Sequence, residues 1–407
     1  MPPLSLVFSM FTWQSLFQFV PAFFNSILIL ITSFFLQWGI LPNHITVEPT
    51  VFLAENEYQI IWETQRQGAA WVTVGDEVFT DSIAGNLKWE QNIHKVSVPI
   101  EALDAARGYE ISWQFFNQDV LGTAQGQVHS KAYDFRPIDF SDGLQVYHIA
   151  DTHSIIRPAA ETAKFWGGDL DLLILNGDIL SDLLVPGMLT DGLRLAWEIT
   201  GGGRPVLYAR GNHETRGPWA NLLSRYVGTP GAERWYFTTR VGPLWIAVYD
   251  LGELNADDHE NYHGLADFTS YRERQTAFFD QVLANEASEF NAPGVEYRLL
   301  VSHIPIGNTS HAYGDFQRAW LAQANRMNLD LAMHGHWHRV QYIPAGTFRN
   351  FPETGPANYP IVVGSKPAHD ADAGGIFTGA AIEIKGGETR ILFTDQHHNV
   401  LREYTIE

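Results

Sequence analysis

The stretch LDLAMHGHWHRV, residues 329–340, sets His334, His336 and His338 into five positions directly after a hydrophobic run. Four other stretches gather the same kinds of side chain: Asp151 and His153 in DTH, Asp178 in GD, Asn212 and His213 in GNHE, and His303 in SH. Imidazole and carboxylate together suit Zn, Fe or Mn. A carboxylate also has two oxygens with which to bridge two ions, and Asp178 is the natural bridge. Gly177, Gly211 and Gly335 each directly precede a ligand position. A residue without Cβ lets the backbone come close to an ion there. The chemistry such a centre performs is metal-assisted hydrolysis, because an ion lowers the pKa of a bound water toward neutrality.

The elements that must position these residues are legible from periodicity. LQVYHIAD, DLLILNGD, RPVLYARGNHE, PLWIAVYD, YRLLVSHIP, LDLAMHGHWH and NYPIVVGS are short, apolar and β-rich, as strands covered on both faces are. RQTAFFDQVLANEA pairs Phe278 with Val282 and Phe279 with Leu283 at i, i+4, a helical pattern. Residues 144–407 therefore read as an α/β domain whose polar strand ends converge on one crevice. Upstream, residues 48–136 alternate with period two: Tyr58, Ile60 and Trp62 form one such face, and Tyr109, Ile111, Trp113 and Phe115 another. WVTVGDEVF reads as a hairpin turning at Gly75-Asp76. This segment is expected to be a small β-sandwich, with residues 137–143 as its linker to the α/β domain.

The first 47 residues contain no Asp, Glu, Lys or Arg. Ala22 to Leu41 would span roughly 30 Å as a helix, the thickness of a bilayer core. A cleaved signal peptide would show a basic n-region and an A-x-A-like cleavage site, and neither is visible. An N-terminal hydrophobic anchor with an exported catalytic domain is the expectation, and a signal segment the alternative. No flanking Lys or Arg sets the membrane orientation. Net charge is −20, from 26 Lys plus Arg against 46 Asp plus Glu, which argues against a nucleic-acid platform. The absence of cysteine excludes disulfide scaffolds, thiolate nucleophiles and iron–sulfur clusters. With 45% hydrophobic residues over 407 positions, a sizeable core is available.

Taken in order, DTH, GD, GNHE, SH and GHWH resemble the signature of the calcineurin-like metallophosphoesterase superfamily. The resemblance implies an αββα core of two sheets flanked by helices. It also implies that Asp151, His153 and His338 hold one metal, that Asn212, His303 and His336 hold a second, and that Asp178 bridges them. His213 would face the substrate phosphate outside both coordination spheres. Purple acid phosphatases share this core and carry an N-terminal fibronectin-like domain, which residues 48–136 resemble, with Tyr109 in the position of a tyrosine corner. They place a tyrosine three residues after the bridging aspartate, where this chain has Ser181, and lack the histidine found here as His153. The resemblance thus implies a dinuclear phosphoester hydrolase without charge-transfer colour. Hydroxide bridging the ions would attack phosphorus in line, on a phosphomonoester or alternatively a phosphodiester.

Arg210 and Arg216 lie close to motif residues and are candidate phosphate contacts. Asp250 ends an apolar strand and is a candidate to orient a ligand histidine. His334 reads as a packed core histidine, His397 and His398 as a hairpin turn, and His311 as a loop residue. A surface binding protein that kept the fold is the rival reading. Degraded enzymes normally lose ligands, whereas seven metal-ligand candidates and His213 are present here. A structural metal site fits poorly, because structural zinc is usually closed by four ligands.

Overall fold

The structure, a computed structural model, describes residues 44–407 except 120–121, 263, 308–312, 349–350, 365 and 368–374, with backbone alone for 116–119, 122–125 and 366–367. The segment expected to form an N-terminal hydrophobic helix and His311 lie outside the described residues. Among the described residues no helix is long and apolar enough to cross a membrane.

Among the described residues nine strands come first: β1 (Ile45–Ala54), β2 (Glu57–Thr64), β3 (Gly68–Val74), β4 (Glu77–Thr80), the short β5 (Ser82–Ile83) and β6 (Asn86–Leu87), β7 (Ile93–Pro99), β8 (Gly108–Asp119) and β9 (Gly122–Asp134). The hairpin between β3 and β4 turns at Gly75 with φ +56°, the backbone that glycine adopts without strain. The remaining strands are β10 (Leu144–Ile149), β11 (Leu172–Asn176), β12 (Pro205–Ala209), β13 (Phe237–Val241), β14 (Leu244–Tyr249), β15 (Tyr297–Ser302), β16 (Leu331–His334), β17 (Gln341–Ile343), β18 (Ile361–Val363), β19 (Lys366–Pro367), β20 (Phe377–Lys385), β21 (Glu388–Asp395) and β22 (Val400–Ile406). Every apolar stretch read as a strand from sequence is one here.

Two sheets face each other in the α/β part. One runs β20-β10-β11-β12, with β10, β11 and β12 parallel, and the other β13-β14-β15-β16-β18-β17, with β14, β15, β16 and β18 parallel. Strand alternation builds three layers. Val146, Ile174 and Leu207 point inward against Ile246, Val301 and Met333. Tyr147, Leu173, Leu175 and Val206 point outward under the helices Ile156–Ala163 and Asp191–Thr200. On the far side Trp245, Tyr249, Leu300 and Ala332 pack beneath Phe268–Ala284 and Gly314–Ala324. The arrangement is αββα, and its buried strands on both faces explain their unbroken apolar runs.

The upstream strands are not a separate unit. β1 starts at Ile45, before the boundary expected at 47/48, and pairs parallel with β12 through Val51–Pro205, Phe52–Val206 and Leu53–Leu207. β2 and β7 add to β1, so three of the expected sandwich strands extend the catalytic sheet. The other sheet of the sandwich, β4-β3-β8-β9, covers them, and Trp62, Val72 and Trp113 join one core that continues to Leu207 and Ala209. The expected linker is packed as well, with Ile138 buried and Phe140 stacked on Tyr297. Tyr109 does not close a corner within its own sheet: its hydroxyl donates to the Gly202 carbonyl at 3.0 Å, in the loop leading to β12.

Candidate metal centre

The five motifs occupy the carboxyl ends of five parallel strands from both sheets. Asp151 follows β10, Asp178 follows β11, Asn212 follows β12, His303 follows β15 and His336 follows β16. Turning the chain abruptly there requires unusual backbone. Asp151, His153, Asp178, His336 and His338 all have positive φ, between +45° and +69°. For a residue with a Cβ this conformation costs about 1–2 kcal/mol each. The hydrogen bonds that hold it are visible: Asp151 N–H donates to Gly177 O (3.0 Å), His153 N–H to Asp178 O (2.9 Å), and His336 N–H to both Asp151 carboxylate oxygens (3.0 Å each).

The glycines serve a purpose different from the one expected. A Cβ on Gly177 would lie 2.5 Å from the His303 side chain, one on Gly211 2.3 Å from Asp178 Oδ1, and one on Gly335 2.9 Å from His303 Nδ1. They let ligand side chains nest against neighbouring loops.

The donor atoms converge in three overlapping groups: Asp151 with His153 and His338, Asp178 with His303 and His336, and, between them, His153 with Asp178 and His213. In the first, the Nε2 atoms of His153 and His338 are 3.2 Å apart and His338 Nε2 is 3.5 Å from Asp151 Oδ1. In the second, His303 Nε2 is 3.1 Å from Asp178 Oδ2, and His336 Nδ1 is 3.0 Å from Asn212 Oδ1. Two ligands each about 2.1 Å from one ion and at near-tetrahedral or octahedral angles would stand about 3.0–3.4 Å apart. The spacing therefore fits metal binding in both groups. His303 adds a further sign: its Nδ1 donates to Asn176 O at 2.7 Å, which leaves the buried Nε2 facing the Asp178 carboxylate. That bond fixes the tautomer and leaves the other ring nitrogen free to ligate an ion.

The electrostatics agree. Asp151, Asp178 and Glu214 are all buried at one point. Burial, with Asp178 adding to it, raises the pKa of Asp151, and burial also raises that of Glu214. Burial opposes ionisation of Asp178 too, yet the neighbouring His303 charge outweighs it and holds that carboxyl low. Burial likewise opposes charge on His303, but Asp178 and Asp151 raise its pKa to about 10. Burial lowers His153 to about 4, leaving its imidazole neutral and able to ligate.

Several residues that sequence reasoning did not single out support the ligands. Glu214 is fully buried and accepts from Asp178 N–H (2.9 Å), Gly211 N–H (2.8 Å), Leu180 N–H (2.9 Å) and the Tyr208 hydroxyl (3.1 Å), tying the GD and GNHE loops together. Asn176, at the end of β11, donates to Met333 O (3.0 Å) and meets His148 Nε2 (2.9 Å), linking strands of both sheets beneath the centre. His334 is buried with Nδ1 2.9 Å from Ser302 O, the packed histidine expected. Ser181 donates its hydroxyl to His153 O at 3.1 Å.

His213 lies at the rim, with Nδ1 2.7 Å from Asp182 Oδ1 and Nε2 3.9 Å from Asp178 Oδ2. Arg216 joins it, NH1 being 3.5 Å from His213 Nε2, while its Nε donates to the buried carboxylate of Glu253. Glu253 is held in turn by Arg272, which donates to the carbonyls of Leu251 and Glu253. Arg210 does not reach the centre. It pairs with Asp250, which also accepts from the Tyr271 hydroxyl and from Gly252 N–H. Asp250 thus orients Arg210 and its own loop, not a ligand histidine, and a buried carboxylate of this kind calls for such a cation. His397 and His398 lie in the β21–β22 turn, as expected.

Residues 144–340 match the calcineurin-like phosphoesterase family. No curated protein matches the sequence. Among solved structures, the chain is similar to a purple acid phosphatase from yellow lupin (Lupinus luteus) seeds, at 14% identity over 88% of this chain and 74% of that one, with a TM-score of 0.53. It is also similar to PhoD, at 10% identity over 89% of this chain and 93% of that one, with a TM-score of 0.48.

Proposed function

We propose that this chain, which matches the calcineurin-like phosphoesterase family over residues 144–340, is a metal-dependent phosphoesterase that hydrolyses phosphomonoesters at a two-ion centre. The observation that supports this reading is the convergence of donor atoms in adjacent groups that share His153 and Asp178, with His303 Nε2 buried beside Asp178. Asp151, His153 and His338 would hold one ion, Asn212, His303 and His336 the other, and Asp178 would serve both. Ions of the Fe, Mn or Zn type there supply Lewis-acid polarisation of the phosphoryl group and a nucleophilic water at neutral pH.

The protein's own groups do the rest. Asp182 accepts from His213 Nδ1 and orients the ring. Nε2 is then the proton donor to the departing alkoxide oxygen. Arg216, fixed by Glu253, presents a guanidinium beside that nitrogen and favours a dianionic monoester over a monoanionic diester. The test is kcat/KM on p-nitrophenyl phosphate and bis-p-nitrophenyl phosphate after Mn, Fe or Zn loading, with Asp178→Asn as blank. Monoester preference that falls at least tenfold in Arg216→Ala is the expected result. Preference for the diester, or an Asp178→Asn protein as active as the parent, would overturn the reading.

A further inference from the structure

We infer that the segment before Ile45 ties the chain to a phospholipid bilayer from the pole opposite the metal centre, so that the centre acts on soluble phosphoesters and not on lipids of the membrane that holds it. The substrate class rests on the phosphoesterase reading above; the orientation does not. Strand polarity carries it. β1 is parallel to β12, β12 to β11 and β11 to β10, and the ligands follow the carboxyl ends of β10, β11 and β12. The amino end of β1 therefore points away from the centre. Val51 pairs with Pro205, so Ile45 lies six residues before the level at which β12 begins, and β12 runs on to Ala209 before Asn212. At ~3.3 Å per residue these ten steps separate the entry point from the ligands by roughly 30 Å.

The chain has little slack at that pole. Residues 1–43 contain no charged side chain, and only Pro42, Asn43 and His44 separate the apolar run ending at Leu41 from β1. Three residues reach about 10 Å at most. His44 is itself fixed, since its carbonyl accepts from Gln65 N–H at 2.9 Å. The adjoining loop presents exposed Gln65, Arg66 and Gln67, which with Asn92 line a polar depression of about 450 Å³. Arg66 lies over Phe115, 5.1 Å from the ring, so a cation sits at this pole of a protein with net charge −20. At roughly 30 Å the centre is several Debye lengths from the surface, beyond its potential, and a lipid phosphate would have to leave the bilayer to arrive.

Because the chain has no cysteine, Gln67→Cys and Leu265→Cys each accept a single label; Leu265 is 87% exposed on the loop after β14, at the pole of the metal centre. The full chain, reconstituted in phosphatidylcholine/phosphatidylglycerol vesicles bearing a headgroup nitroxide quencher, should show strong quenching at position 67 and little at 265. Equal quenching, the reverse order, or failure to float with vesicles would overturn the orientation. In the same vesicles p-nitrophenyl phosphate should be hydrolysed at the rate seen in detergent, and embedded phosphatidic acid at less than a hundredth of it. Comparable hydrolysis of phosphatidic acid overturns the substrate class. Inertness toward both esters overturns the phosphoesterase reading and leaves the quenching result to stand alone.

Discussion

If His213 is the proton donor and Asp182 acts only through it, the two residues must be thermodynamically coupled. The Nδ1–Oδ1 contact is 2.7 Å, a charge-assisted hydrogen bond once the imidazole is protonated. Such bonds are worth about 1.5–3 kcal/mol, but the Asp182 side chain is 39% exposed and solvent screening reduces the figure. About 1–2 kcal/mol remains, which converts to a roughly 5–30-fold loss of kcat in Asp182→Asn. His213→Asn removes the proton donor and should lose roughly 10²–10⁴-fold. In the double variant the Asp182 penalty should vanish, leaving kcat within about threefold of His213→Asn alone. Asp182 also stands 3.8 Å from Arg216, a partly exposed pair worth little, so any remnant belongs in KM. The assay is saturating hydrolysis of p-nitrophenyl phosphate by all four proteins at equal metal content. Penalties that multiply in the double variant, or an Asp182→Asn enzyme within twofold of the parent, would refute the reasoning.

Replacing Glu214 by Gln keeps the shape but leaves one acceptor oxygen where two now serve four donors, so at least one buried N–H loses its partner; urea unfolding should report a loss of about 2–4 kcal/mol, and an unchanged midpoint would count against the clamp. Stripping the metal should expose a pH dependence. His303 has a folded pKa of about 10 against 6.5 unfolded, so its contribution is complete below pH 6.5 and is lost as pH rises through 10. Lys95, which burial lowers to about 7, titrates in that window with the opposite sign but in both forms. The stability gap between loaded and stripped protein should therefore widen from pH 7 to 10, and a constant gap would exclude the proton on His303. Iron-loaded protein should show no visible tyrosinate-to-iron band, since Ser181 occupies the position of the tyrosine and hydrogen-bonds the backbone.

The candidate ligands were legible because each has a donor side chain at the end of an apolar strand, and a parallel sheet brings such ends together whatever their sequence separation. What supports them was not. Asp182 stands four residues after Asp178, and no local spacing announces that it faces His213. Arg210 and Asp250 each looked available because their partner is 40 residues away. Period-two alternation in the upstream segment marks strands, but not which strand lies along the edge of β1. Hence the segment read as a separate sandwich proved to be part of the catalytic sheet.

That shared edge has a consequence for synthesis. One edge of β1 is covered at once by β2, but its other edge waits for β12, whose first residue follows Ala54 by 151 positions. At ~5–20 residues per second the ribosome needs roughly 8–30 s to supply it. Throughout that interval a ten-residue strand, buried at eight positions in the finished molecule, keeps unpaired backbone groups. Nascent chains of this protein are thus born with an open, apolar strand edge, and the period before β12 emerges is when they most need a chaperone.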